Sequence, residues 1–178
     1  MKTNIYFPRA WHFPVLAFFL FLLMKAVYSM AEVQHLTFLL APSSEVVATF
    51  TGTDSTFIPE QGYFNESLNI LINKSCSGFN FWSICFLMSY CLLAKPNNPR
   101  LRNIFLLPVV LGATYLFTIL VNSTRILFSI FLHAVNSPRL TVDAPWSHQA
   151  EGVFIYLSYL IIAYLSIDYF QTQKTMTL

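Results

Sequence analysis

Four long apolar runs, separated by polar segments, set the pattern of this chain. They extend from Phe13 to Ala31, from Gly78 to Ala94, from Ile104 to about Val135, and from Gly152 to Phe170. A helix needs about 20 mostly apolar residues to cross a bilayer, so each run can span. The third is long enough to cross over 104–125 and then extend to about 135, and Pro108 and Gly112 lie where a kink would be tolerated. The first run reads as a retained helix, because its core is longer than the roughly 7–15 residues of a cleaved signal. Between the first two runs, Leu36–Phe50 is partly apolar but interrupted by Pro42, Ser43, Ser44 and Glu45. That piece is expected to be interfacial or re-entrant. Gly52–Lys74 is polar and turn-rich, with a short alternating run at Leu68, Ile70 and Ile72. The pattern predicts an all-α integral membrane protein with about four transmembrane helices and an outer interfacial segment between the first and second. Residues 1–178 form a single membrane domain, with outer segments at 32–75 and 134–151.

Composition agrees. Of 178 residues, 56% are hydrophobic and 10% charged, against about 25% charged in ordinary globular domains. A net charge of +2, dispersed along the chain, speaks against a nucleic-acid partner. The position of the basic residues predicts orientation, since Lys and Arg near helix ends resist translocation. Lys2 and Arg9 precede the first run, Lys95, Arg100 and Arg102 fill the loop between the second and third, and Lys174 follows the fourth. Both termini are therefore expected on the cytoplasmic side. If Leu36–Phe50 spanned, the basic loop would be pushed outside.

Helical rise then brings three residues to one expected level. Cys76 lies about 28 Å above Lys95, Arg125 about 32 Å above Ile104, and His148 about 30 Å above Asp168. All three fall at the outer membrane face. Tyr115, Thr118, Asn122, Arg125, Ser129 and His133 recur at helical spacing and form one polar stripe on the third helix. Cys76, Asn80, Ser83 and Tyr90 follow a similar phase on the second, and His148, Gly152, Tyr156 and Tyr159 on the fourth. Small and polar residues also mediate helix packing in lipid. An arginine embedded in a spanning segment costs a few kcal/mol and is harder to explain by packing.

Cysteine, arginine and histidine at one height can perform acyl transfer. Cys76, flanked by Ser75, Ser77 and Gly78, is expected at the outer end of the second helix. A helix N-terminus and a nearby cation both favour a thiolate, and Gly78 would let a substrate backbone approach. His148 could serve as general acid and base, and Arg125 as oxyanion stabiliser, with Asn122 one turn away to orient it or the substrate. His133 is a second choice of base, about 12 Å above Arg125. Neither a cofactor nor a metal is expected. The sequence has no His-Glu-x-x-His and no Cys-x-x-Cys. Cys76 and Cys85 point to opposite sides of a helix, and Cys76 and Cys91 would be about 22 Å apart in height.

These residues resemble the exosortase/archaeosortase family of membrane transpeptidases, most closely the short exosortase K type. The likeness is carried by Lys74-Ser75-Cys76-Ser77-Gly78-Phe79, by Asn122-Ser123-Thr124-Arg125, and by His148 followed by Glu151-Gly152. Leu39-Leu40-Ala41-Pro42 and Glu60-Gln61-Gly62-Tyr63 add to it. The resemblance implies Cys76 as nucleophile, with Arg125 and His148 completing the catalytic set. It implies a place in the bacterial cytoplasmic membrane, with the site outward. It also implies substrates: secreted proteins ending in a short motif, a transmembrane helix and a basic tail, cleaved near the motif and passed to a surface acceptor. The chain is shorter than the long members of that family. Two alternatives accompany the reading. One is a hydrolytic membrane cysteine protease; the other is a non-enzymatic assembly subunit in which Arg125 pairs with Glu32, Glu60 or Glu151.

Overall fold

The computed structural model describes residues 12–94, 100–136 and 145–176, of which 12, 100–103, 133–136, 145–151 and 174–176 are described by backbone alone. Five helices carry the fold: α1 (His12–Met30), α2 (Thr37–Thr51), α3 (Phe79–Leu93), α4 (Arg100–Asn136) and α5 (Pro145–Met176). Short 3-10 turns at Val33–Leu36 and Lys74–Cys76 precede α2 and α3. Four stretches are long and apolar enough to cross a membrane: Phe13–Met30, Lys74–Leu93, Ile104–Leu132 and Gly152–Gln173. The protein is an all-α, multi-pass membrane protein. Its exposed side chains make the same point. Phe18 and Phe19 on α1, Phe105, Leu116 and Phe131 on α4, and Phe154 and Ile162 on α5 all stand on the outside. Such a surface suits lipid, where the helix satisfies its own backbone and apolar side chains need no cover.

Most burial lies where helices meet. Ala17 of α1, Phe86 and Tyr90 of α3 and Val110 of α4 form one buried cluster. Phe81 and Cys85 of α3 and Val121 of α4 form another, with Tyr156, Tyr159 and Leu160 of α5 against it. The largest cluster joins Leu36, Leu39, Leu40 and Val47 to Ile72, Phe79 and Ile126, and Cys76 packs at its side.

The segment between α1 and α3 departs from the expectation in two ways. Leu36–Phe50 is not broken at Pro42; Pro42 lies inside the continuous helix α2. A proline at that place leaves the carbonyl of Phe38 without its helical donor. The Tyr115 hydroxyl of α4 supplies one, donating to Phe38 O at 2.6 Å. One face of α2, with Leu39, Leu40, Ser43, Ser44 and Val47, is buried. The polar stretch after α2 folds into a three-stranded antiparallel sheet, β1 (Thr56–Ile58), β2 (Gly62–Asn65) and β3 (Ile70–Ile72), in the order β1-β2-β3. Strands of three and four residues leave too little alternation to be read from a sequence. The Asn65 side chain fastens the second turn by accepting from the Leu68 N–H at 3.0 Å.

Helices also enter the second outer segment. α4 continues to Asn136 and α5 already begins at Pro145, so most of 134–151 belongs to helices. His148 lies in the first turns of α5, not ahead of that helix.

Candidate active site

Cys76 ends a 3-10 turn, Lys74–Cys76, that stands apart from α3. The turn is set by Asn73, whose side-chain oxygen accepts from Ser75 N at 3.0 Å and from the Ser75 hydroxyl at 2.7 Å. The Asn73 carbonyl accepts from Cys76 N at 2.9 Å. Beyond it, Ser77 is buried and its hydroxyl oxygen accepts from Phe79 N at 3.4 Å. Gly78 then reverses the chain at φ +72° and starts α3. The Cys76 thiol is half-buried and unpaired by any disulfide.

Gly78 has a different task from the one expected. A side chain there would meet Thr118 Cγ2 at 3.1 Å and Asn122 Cβ at 3.2 Å. The space beside Gly78 is thus filled by α4, and no substrate backbone can enter it. Its absent side chain and positive φ together let the Cys76 turn lie directly on α4.

What α4 presents at that point is Asn122, fully buried. Its amide nitrogen donates to Cys76 O at 2.7 Å and to the Ser43 hydroxyl at 3.3 Å. Its carbonyl oxygen accepts from the Tyr156 hydroxyl of α5 at 2.8 Å. Tyr156 in turn accepts from Arg125 Nη1 at 3.1 Å, and the guanidinium lies 5.3 Å from the centre of the Tyr156 ring. A continuous chain of polar contacts therefore runs from the Cys76 backbone through Asn122 and Tyr156 to Arg125. Gly152, also buried, leaves room for Arg125: an added Cβ would lie 2.7 Å from its Nε. Among the described residues no carboxylate pairs with Arg125.

The structure thus brings Cys76, Asn122 and Arg125 together. His148 lies one turn before Gly152 on α5, on the same helix face and about 6 Å away along the axis. The side chains of His148, His133 and Glu151 lie outside the described residues. The expected stripe on α3 does not hold together. Asn80 is exposed and accepts from Lys25 of α1 at 2.6 Å, while Tyr90 belongs to the cluster around Ala17. Tyr156 is the residue the sequence named without a role. Its place one turn after Gly152 was the available signal, because the two residues close on opposite parts of the same guanidinium.

Among the described residues no cluster of His, Cys, Asp or Glu could hold a metal ion. No protein-family model, curated protein or solved structure matches this chain.

Proposed function

We propose that this protein is an exosortase-like membrane cysteine transpeptidase. The observation that carries the reading is the polar chain from Cys76 to an arginine that no described carboxylate neutralises. An arginine in a spanning helix is expensive and calls for a counter-charge or a use. A negative charge that develops during reaction is such a use. The resemblance of Ser75-Cys76-Ser77-Gly78, Asn122-x-x-Arg125 and His148 to the exosortase motifs supports the same conclusion.

In this reading His148 takes the proton of the Cys76 thiol as the sulfur bonds to the scissile carbonyl carbon, and the oxyanion faces Arg125. The C–N bond breaks as His148 gives a proton to the leaving amine, which leaves a thioester on Cys76. An acceptor amine then attacks the thioester, His148 takes up its proton, and the thiol is restored. The substrates are secreted proteins with a C-terminal sorting helix and a basic tail. The distribution of basic residues supports a reading with both termini in the cytoplasm and the site at the outer face of the bacterial cytoplasmic membrane. The test is processing of a tagged secreted protein of this type. Cys76→Ala is expected to abolish it, and unchanged processing in that variant refutes the proposal. Mass spectrometry of the product's new C-terminus separates transfer to an acceptor from release by water.

A further inference from the structure

A cysteine that attacks a peptide carbonyl needs its substrate held extended beside it, and the fold has an unused edge for that purpose. β3 has β2 on one side and, among the described residues, no strand on the other. It leads through Asn73 directly into the turn that ends at Cys76. The direction of its backbone groups follows from two contacts. A side chain at Gly62 would collide with the carbonyl of Ile72, so that carbonyl is turned toward β2. Phe64, which stands opposite Leu71, has its carbonyl turned to β1, where it accepts from the Thr56 hydroxyl at 3.4 Å. Antiparallel strands alternate in this respect. Leu71 therefore directs its N–H and C=O away from the sheet. Among the described residues no group bonds to either of them, and Leu71 is 37% exposed.

An open strand edge is a template for a further strand, and extended peptides are commonly recognised in this way. By the rise of a strand and a 3-10 turn, the chain from Leu71 to Cys76 spans at most about 13 Å, the length of about four extended residues. We infer that Leu71 forms part of a peptide-docking edge, which pairs by main-chain hydrogen bonds with an extended segment of about four residues flanking the scissile bond. This inference rests on the acyl-transfer reading of Cys76. It adds that recognition next to the scissile bond is made by the backbone, and so tolerates varied side chains there. The outer edge of β1, at Phe57, has the same open geometry but lies far from Cys76 in the chain.

Proline offers a clean test, because an edge strand accepts it where the N–H faces outward. The full-length protein is co-expressed with reporters that carry a tagged secreted domain, about seven randomised residues, about 20 apolar residues and an arginine tail. Leu71→Pro should lower processing of the selected reporters about tenfold, and Phe57→Pro should leave it unchanged. Labelling of Cys76 by an impermeant maleimide, equal in both variants and wild type, reports that the turn is intact. Full processing by Leu71→Pro overturns the docking edge. So does an equal loss in Phe57→Pro with Cys76 still labelled. No reporter processed by wild type, or equal processing by Cys76→Ala, overturns the acyl-transfer reading itself.

Discussion

The two sides of α4 use polar residues in opposite ways. Toward α2 and α3 polar atoms are matched at two points: Tyr115 repairs the carbonyl left open by Pro42, and the Asn122 amide nitrogen donates to Cys76 O and the Ser43 hydroxyl, while the buried hydroxyls of Ser44 and Ser123 have no partner among the described residues. Toward α5, one turn further along, Arg125 offers five N–H donors, of which one is bonded among the described residues. The first side fastens the carbonyl opened by Pro42 and the Cys76 turn to α4; the second holds the guanidinium against the ring and hydroxyl of Tyr156. A polar stripe on a membrane helix thus combines two kinds of residue, and their hydrogen bonds separate them where helical phase cannot.

Substitutions on the two sides should differ in what they damage. The largest loss of stability is expected from Asn122→Leu, which takes the donor from Cys76 O and the Ser43 hydroxyl and the acceptor from the Tyr156 O–H. About 3 kcal/mol should be lost, read as a lower melting temperature in detergent together with loss of activity. If that variant melts like wild type, the matched side does not hold the Cys76 turn. Gly152→Ala should do the reverse. The methyl group displaces a flexible guanidinium, so melting should shift little, while reporter processing falls about a hundredfold through misplacement of Arg125. A fall in stability with normal activity would assign Gly152 to packing instead. Tyr156→Phe keeps the ring beside Arg125 and removes the hydroxyl link. Processing is expected to fall about tenfold, with about 1 kcal/mol of stability lost. Cys91 is exposed and remote from this chain of contacts, so Cys91→Ser should be neutral to within about 0.5 kcal/mol and leave processing intact.

Much of this architecture was legible in the sequence because lipid selects apolar side chains over whole helices. The expected first span, Phe13–Ala31, differs by one residue from the apolar window Phe13–Met30 of α1. The agreement in depth between Cys76 and Arg125 followed from helical rise alone, and the contacts through Asn122 and Tyr156 are consistent with it. Other features depend on tertiary contacts. Pro42 looked like a break because its repair by Tyr115 comes from 73 residues further along the chain. Gly78 looked like an opening for substrate because nothing local reveals that Thr118 and Asn122 fill the space. β1–β3 escaped notice because strands this short are fixed by their partners and by Asn65, not by periodicity. The start of α5 at Pro145 had a local cue, since proline is favoured in the first helical turn, but the apolar run that marks the span begins only at Gly152.

The central claim is that Cys76 bonds covalently to its substrate beside Arg125. Intact-protein mass spectrometry of the protein, quenched during incubation with a reporter, tests it most directly. A hydroxylamine-sensitive adduct on Cys76 with the mass of the reporter's N-terminal fragment is expected, absent in Cys76→Ala and much reduced in Gly152→Ala. Continued product formation by Cys76→Ala, with no adduct on wild-type Cys76, would contradict it.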